Sequence, residues 1–207
     1  LNRHYSTSNI THFGIYSLLY GRLPLFYHRD LRDRIRPQLC ETLSNAGYNT
    51  VFMSSEKFAG WRQMELFLNR KNFHEIMIPK DAEPVWVMNS SKWVKHDRWV
   101  FEQARHRLSV KDDKPQFIVV YTISNHYPYE YPPEFNKNQP SGLRVNYENW
   151  MKLDGQQLLN RYRNSALFIE DEIIKTLESL DSERTVVVVT GDHGESFGED
   201  GVLSHGS

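Results

Sequence analysis

The stretch Pro115-Gln-Phe-Ile-Val-Val-Tyr121 contains a run of apolar residues that occupies both faces of a β-strand. Strands of this kind are typical of parallel sheets that helices cover on both sides. Two further runs have the same character, Thr50-Val-Phe-Met53 and Thr185-Val-Val-Val-Val-Thr190. We therefore expect three strands of one buried sheet.

Segments with helical periodicity separate these strands. Pro37 and Gly47 bound one predicted helix, and residues 61–68 form another. Asp97 is predicted to cap a third helix, and residues 159–177 form the longest one, with apolar positions at three- and four-residue intervals. This alternation predicts an α/β domain with a mostly parallel central sheet and helices on both faces. Ligands of such sheets collect beyond the carboxyl ends of the strands.

Composition excludes several classes of protein. The chain has 207 residues, 25 Lys and Arg against 26 Asp and Glu, and a net charge of −1, which disfavours binding to nucleic acid. No apolar run approaches the roughly 20 residues of a membrane span. A single cysteine, Cys40, excludes an internal disulfide and a cysteine-rich zinc site. We expect one domain over residues 1–207, cut from a longer protein, because the chain opens at Leu1 and closes directly after its richest motif.

That motif is Thr190-Gly-Asp-His-Gly-Glu195, at the end of a predicted strand. Its glycines permit a sharp turn, while Asp192 and His193 supply one oxygen and one imidazole suited to zinc or manganese. His205 follows across the glycine-containing stretch Gly198-Glu-Asp-Gly201, which can fold it back toward the same centre. An isolated Asp-His pair is more often a turn or capping device. The strand end, the glycines and the later histidine together favour a metal site.

His126 ends the other strong strand, in Ser124-Asn-His-Tyr-Pro-Tyr129. A lone histidine there is commonly structural, with one ring nitrogen on a backbone carbonyl. If the two strands are neighbours, however, His126 lies in register with Asp192 and His193 and becomes a candidate for holding an anionic oxygen. The proline- and tyrosine-rich connection over residues 125–150 is long enough to be functional.

A hydroxyl-rich loop, Ser6-Thr-Ser-Asn-Ile-Thr11, leads into Phe13-Gly-Ile-Tyr-Ser-Leu-Leu-Tyr-Gly21, which predicts a short helix ended by glycine. A hydroxyl at this position is most often an N-cap. The same helix start also favours an anion, and a neighbouring metal would make the hydroxyl a nucleophile. The residues alone do not decide whether this hydroxyl is a helix cap or a nucleophile.

These three motifs resemble those of the sulfatase-like branch of the alkaline phosphatase superfamily. Thr190-Gly-Asp-His-Gly-Glu-Ser-Phe-Gly-Glu-Asp-Gly201 with Ser204-His-Gly206 resembles its C-terminal metal motif, and Asn9-Ile-Thr-His-Phe-Gly14 with Gly21 matches the spacing of its nucleophile loop. Ser124-Asn-His-Tyr-Pro-Tyr129 is similar to the segment that carries a substrate-binding histidine. The most similar members are the lipoteichoic acid synthases and phosphoethanolamine transferases of bacterial envelopes.

The resemblance implies a role for each site residue. Thr11 would be the metal-bound nucleophile that becomes a covalent phosphothreonine. Asp192 and His193 would bind the metal together with Thr11, and His126 and His205 would hold the transferred group or a second metal. The implied cofactor is a divalent ion, zinc or manganese, with magnesium or calcium as alternatives.

The chain departs from the true sulfatases at the nucleophile. Those enzymes convert a Cys or Ser within Cys/Ser-x-Pro-x-Arg to formylglycine, whereas here the matching residue is Thr11 without a following Pro-x-Arg, and Cys40 lies elsewhere. The difference argues for phosphoryl-group transfer rather than sulfate-ester hydrolysis. Ser8 is the alternative nucleophile.

The resemblance therefore implies transfer of phosphoglycerol or phosphoethanolamine from a phospholipid head group, or from another anionic ester. It also implies a parent protein anchored in the inner membrane, with this domain on the periplasmic or extracellular side. The family's further acidic metal ligand would precede Leu1, so we expect a domain incomplete at both ends. Two alternatives stay open: a phosphodiester or sulfate-ester hydrolase of the same fold, and a non-catalytic envelope domain that binds lipid or protein through residues 127–140.

Overall fold

The central sheet has three parallel strands, β1 (Asn49–Ser54), β2 (Glu75–Met77) and β3 (Gln116–Tyr121), in the order β2-β1-β3. This computed structural model describes residues 5–58, 60–83, 92–110, 112–142, 154–181, 183–199 and 201–206. β1 pairs with β3 along its whole length, from Asn49 opposite Gln116 to Ser54 opposite Tyr121. The predicted α/β fold with a parallel sheet is confirmed.

Five helices and one small hairpin complete the described part of the chain. The helices are α1 (Thr11–Tyr20), α2 (Tyr27–Arg32), α3 (Gln38–Asn45), α4 (Trp93–Ser109) and α5 (Gly155–Leu177). The hairpin pairs β4 (Ser196–Phe197) with β5 (Leu203–Ser204) in antiparallel fashion. None of the described helices combines the length and apolarity needed to cross a bilayer.

Helices cover both faces of the sheet because β1 is apolar on both. Phe52 lies in one core cluster with Tyr16 of α1. Val51 and Met53 point to the opposite face and contact Val100 of α4. Successive side chains of a strand alternate between faces, so the double-faced run predicted from the sequence is the reason that two helical layers form.

The longest helix was predicted correctly and lies against α4. Asp154 caps α5 with a reciprocal capping box, since its carboxylate accepts the Gln157 N–H while the Gln157 side chain accepts the Asp154 N–H. Phe168 of α5 contacts Phe101 of α4 in a separate core cluster. A buried carboxylate, Glu172, joins the two helices where it accepts from Arg105 Nη1 at 3.1 Å.

The structure corrects two helix predictions. Residues 61–68 form no α-helix but turns around a short 3-10 segment, because Arg62 and Gln63 adopt left-handed backbone angles that interrupt helical hydrogen bonding. Asp97 is not a cap, since α4 begins at Trp93 and places Asp97 inside the helix with a fully buried side chain.

The predicted strand over residues 185–190 is wrong for the described residues. The segment forms no strand pairing with them, and Val186 is 92% exposed and Val188 79% exposed. A double-faced strand requires a hydrogen-bonded neighbour and cover on both faces, and among the described residues this segment has neither. The segment nevertheless leads directly into the turn that carries Asp192 and His193.

A pair of buried acids lies at the carboxyl end of β1. Glu56 is 1% exposed, and its Oε2 has no hydrogen-bond partner among the described residues. Burial, followed by the neighbouring Asp97 carboxylate, raises the pKa of Glu56 to about 8. Glu56 therefore keeps its proton in the folded protein at pH values at which an exposed glutamate has lost it.

This raised pKa makes folding stability depend on pH. Between the pKa of an unfolded glutamate, about 4.3, and about 8, the folded state binds more protons than the unfolded state, so stability falls as pH rises. We expect Glu56→Gln to remove this loss, which amounts to about 1.4 kcal/mol per pH unit across that window. Thermal melts from pH 5 to pH 8 measure it. Glu102→Gln, at an exposed acid of α4, is the matched control. Parallel pH curves for wild type and Glu56→Gln would contradict the expectation.

Candidate active site

Thr11 stands at the start of α1, and its hydroxyl faces the distant Asp-His motif. Thr11 Oγ1 lies 3.0 Å from His193 Nε2, and the residue is 4% exposed. The N-cap of α1 is Ile10, and no side chain caps this helix end. The capping role that the sequence left open for Thr11 is therefore not observed, and its hydroxyl is directed into the site.

Ser8, the alternative nucleophile, has a local role instead. Its hydroxyl accepts a hydrogen bond from the Ile10 N–H at 3.2 Å. This bond shapes the turn before α1, a common use of serine in loops. The geometry therefore favours Thr11 over Ser8 as the reactive hydroxyl.

The turn around Asp192 and His193 orients both side chains. His193 Nδ1 lies 2.8 Å from the Gly194 carbonyl oxygen, which can only accept, so Nδ1 carries the proton and Nε2 presents its lone pair toward Thr11. Asp192 Oδ2 lies 3.6 Å from the same Nε2. A hydroxyl, a carboxylate and an imidazole nitrogen thus converge, and an imidazole tied to a carbonyl through its other nitrogen is typical of a metal ligand.

Close backbone packing joins α1 to this turn. A Cβ added to Gly14 would lie 2.2 Å from the Asp192 carbonyl oxygen. Only glycine permits this approach, which brings Thr11 and His193 together although 182 positions separate them in sequence.

The β4–β5 hairpin returns the chain so that His205 reaches the site, as the glycine-containing loop predicts. The rings of His193 and His205 have centroids 4.2 Å apart. His205 Nδ1 lies 2.9 Å from Glu195 Oε2. Burial alone would lower the pKa of His205, but the Glu195 carboxylate outweighs it and raises this pKa above the ordinary value. Glu195 was not assigned a role from the sequence, although it lies within the quoted motif.

His126 completes the group at the end of β3. Its ring lies edge-to-face against His205 at 5.2 Å and against Trp93 of α4 at 5.8 Å. His126 Nδ1 is 2.8 Å from the Tyr127 carbonyl oxygen, so the backbone bond expected of a structural histidine is present. That bond also fixes the neutral tautomer with Nε2 as acceptor. Burial lowers the pKa of His126.

The structure thus brings together all five residues predicted from the sequence: Thr11, His126, Asp192, His193 and His205. Their roles stay predictions. Among the residues that the structure describes, no three His, Cys, Asp or Glu side chains are grouped as a metal site. The oxygen and nitrogen donors of Asp192, His193 and the Thr11 hydroxyl are nevertheless of the kinds that zinc takes, so the predicted metal role of these three residues stays a prediction.

A cavity of about 320 Å³ opens beside the start of α1, and no motif of the sequence predicted it. Its lining includes His12, Phe13, Tyr27, His28 and Arg62. Burial, with added repulsion from Arg62 and His28, lowers the pKa of His12 to about 4, and its Nδ1 finds no partner among the described residues. The cavity therefore offers one permanent cation and neutral imidazole next to Thr11.

The chain is similar to proteins of known family. The sulfatase family model matches residues 1–207. Phosphoethanolamine transferase EptA of Salmonella typhimurium is 36% identical over 96 residues, which cover 43% of this chain and 17% of EptA. Phosphatidylethanolamine transferase Mcr-2 of Escherichia coli is 31% identical over 108 residues, covering 48% of this chain and 19% of Mcr-2. The chain therefore spans less than a fifth of the curated relatives it matches.

A solved structure supports the fold. The C-terminal periplasmic domain of EptC from Escherichia coli, in complex with Zn, superposes with a TM-score of 0.57 at 15% identity. The superposition covers 84% of this chain and 46% of the EptC domain. At this identity the likeness concerns the fold alone.

The contact between Gly14 and Asp192 generates a prediction. In Gly14→Ala the new Cβ meets backbone that cannot move aside as a side chain would. Overpacking costs about 1–3 kcal/mol, against about 1 kcal/mol gained by Ala over Gly within a helix, so we expect net destabilisation. Thermal unfolding measures the effect.

Gly194→Ala is the matched control, because a Cβ at Gly194 meets no described atom within 4 Å. A melting temperature for Gly14→Ala equal to or above that of Gly194→Ala would show that the close approach of α1 to Asp192 does not hold the site together.

Proposed function

Because the chain belongs to the sulfatase family, we propose that it forms part of a metal-dependent transferase that moves a phosphoethanolamine group from a phospholipid to an acceptor hydroxyl. The observation that carries the proposal is the buried Thr11 hydroxyl, 3.0 Å from His193 Nε2. The similarity to EptA and Mcr-2 supports phosphoethanolamine over phosphoglycerol as the transferred group.

Asp192, His193 and Thr11 would hold the metal, with zinc favoured by the mixed oxygen and nitrogen donors. When bound, such an ion lowers the pKa of the threonine hydroxyl and neutralises charge on phosphate oxygens. Gly194 fixes the imidazole through its carbonyl, so His193 Nε2 is already in the acceptor form that ligation requires.

The chain's own residues would perform a double displacement. Thr11 Oγ1 forms a bond to phosphorus while the bond from phosphorus to the diacylglycerol oxygen breaks, leaving a phosphothreonine. The acceptor hydroxyl then displaces the threonine oxygen. Over both steps one proton passes from the acceptor to the lipid alcohol. His205, whose pKa the Glu195 carboxylate raises, would donate from Nε2 to a non-bridging oxygen of the phosphoryl group. His126 Nε2 is an acceptor in the neutral ring, so it would hold such an oxygen only when protonated and would otherwise be free to bind a second metal.

The cavity beside α1 suits the anionic part of a substrate. Arg62 supplies a permanent positive charge, while Phe13 and Tyr27 give apolar walls. Ile10 and His12, the chain neighbours of Thr11, line the cavity, so a group bound there would lie beside the first turn of α1.

Formylglycine chemistry has no suitable precursor at this site. Cys40 is fully buried in α3, within the cluster that packs under the sheet, and burial raises the pKa of its thiol to about 12. The residue at the head of α1 is a threonine. We therefore favour phosphoryl transfer over sulfate-ester hydrolysis. From the family resemblance we also propose that the domain lies on the periplasmic side of the inner membrane.

Thr11→Ala tests the nucleophile. In the full-length parent protein, we expect the variant to lose transfer of labelled phosphoethanolamine from phosphatidylethanolamine by at least 10³-fold, the scale typical of removing a nucleophile. Intact-protein mass spectrometry after exposure of the wild type to donor alone should show a phosphoethanolamine adduct on Thr11. The variant should melt within a few degrees of the wild type.

Ser8→Ala is the matched hydroxyl deletion, since Ser8 is three residues away and bonds only locally in the described structure. We expect it to retain most of the transfer activity. Wild-type activity in Thr11→Ala, or its loss in Ser8→Ala alone, would show that the nucleophile is misassigned.

A comparison of ester substrates tests the reaction class. The full-length protein should cleave a generic phosphodiester at least 100-fold more efficiently than an aryl sulfate, because Thr11 provides no aldehyde hydrate. A preference for the aryl sulfate would contradict phosphoryl transfer, and release of free phosphoethanolamine to water despite an available acceptor would identify a hydrolase.

A further inference from the structure

The turn after β3 fixes the position of His126, and hydrogen bonds define its shape. The His126 N–H donates to the Ile123 carbonyl oxygen at 2.8 Å, and the Tyr129 N–H donates to the His126 carbonyl oxygen at 2.8 Å. The orientation of residues 123 and 124 therefore determines where the imidazole lies.

Asp97 of α4 holds the first part of this turn. Its fully buried carboxylate accepts the Ser124 N–H at 2.7 Å and the Ile123 N–H at 3.1 Å. It also accepts from the Ser55 hydroxyl, at the end of β1. One buried carboxyl group thus ties the ends of β1 and β3 to α4 through two backbone amides and a hydroxyl.

The same helix also contacts the imidazole. Trp93, the first residue of α4, is 2% exposed and lies edge-to-face against His126 with ring centroids 5.8 Å apart. At the far end of the turn, Arg161 of α5 donates through Nε to the Pro128 carbonyl oxygen at 3.1 Å. The turn is therefore held from both sides by rigid helices.

We propose that Asp97 is a positioning residue for the transfer reaction, which acts by holding the Ile123 and Ser124 amides and so sets the place of His126 beside His205. The inference rests on the proposed function for its activity readout, but its geometry does not. Asp97 contacts neither His126 nor His205 directly in the structure, so it acts through the backbone of the turn.

Both carboxyl oxygens of Asp97 are needed for this arrangement, because three donors converge on them. Burial raises the pKa of Asp97, whereas these donors favour the carboxylate, a charged acceptor whose hydrogen bonds are roughly twice as strong as neutral ones. An asparagine has one acceptor oxygen, and its NH₂ group would face an amide N–H. Asp97→Asn therefore keeps the size of the side chain while releasing part of the turn.

The first test is steady-state kinetics of the full-length protein. We expect Asp97→Asn to lower kcat by about 10- to 100-fold with KM changed less than about threefold, because a shift of about 1 Å in a positioned group costs up to 10²-fold in rate. Glu172→Gln is the matched control, since Glu172 is another buried carboxylate paired across α4 and α5. It should lose stability and keep kcat. Equal kcat losses in both variants would reduce Asp97 to a structural role and overturn the proposal.

The second test needs no activity. In imidazole ¹H–¹⁵N spectra, Asp97→Asn should shift the His126 ring resonances, whereas Glu172→Gln should leave them in place. An unshifted His126 in folded Asp97→Asn would overturn the proposal. If the wild type transfers no phosphoethanolamine, the proposed function fails, and this spectrum still tests the positioning.

Hydrogen exchange in the wild type covers the case in which Asp97→Asn does not fold. The Ile123 and Ser124 amides lie outside regular structure, yet we expect them to exchange as slowly as amides of β3, since both donate to the fully buried Asp97 side chain. Exchange at the rate of an exposed turn would show that Asp97 does not hold these amides and would overturn the proposal.

Discussion

The candidate site depends on the close approach of α1 to the turn at Asp192. Gly14 has no side chain, and this lets the helix lie against the Asp192 backbone. That approach leaves 3.0 Å between the Thr11 hydroxyl and His193 Nε2. Direct packing of helix on turn therefore keeps the Thr11 hydroxyl buried and directed at His193.

A second set of interactions fixes the carboxyl edge of the sheet. Here the structure buries acidic side chains rather than apolar surface, since Asp97 is fully buried and Glu56 nearly so. The pKa of Tyr121, at the end of β3, responds to all of these acids. Burial first, then the carboxylates of Asp192, Glu56 and Asp97, raise its pKa well above the usual range. The acids of the sheet edge and the predicted metal ligand therefore share one weakly screened environment.

The sequence predicted those features that follow from short-range periodicity and from motifs. The double-faced runs of β1 and β3 predicted the parallel sheet and its two helical layers, and the motif residues Thr11, Asp192 and His193 meet in the structure as expected. The resemblance to a known family, more than the spacing of the residues, indicated that the three distant motifs belong to one site. The sequence therefore indicated that these residues share one site, although it did not show their contacts.

The failures have physical causes that periodicity cannot reveal. Residues 61–68 have helical spacing, but left-handed backbone angles at Arg62 and Gln63 break the helix and turn Arg62 toward the cavity. Residues 185–190 have strand-forming composition, but strand formation depends on a partner, and none of the described residues pairs with them. Asp97 resembles a cap in sequence, because capping and burial of an aspartate use the same chemistry, namely acceptance of backbone N–H bonds.

Asp97 is one of several groups that fix the loops carrying the candidate site residues. Its carboxyl group accepts the two amides that follow β3, at the start of the loop that carries His126. Arg161 holds the far end of that loop, where it donates to the Pro128 carbonyl. On the other side of the site, the Gly194 carbonyl orients His193 and the Glu195 carboxylate orients His205. His126, His193 and His205 therefore lie outside regular structure, yet each is fixed by a bond to backbone or to a carboxylate, whereas Thr11 is held in the first turn of α1. This arrangement gives loop residues the precision that catalysis requires.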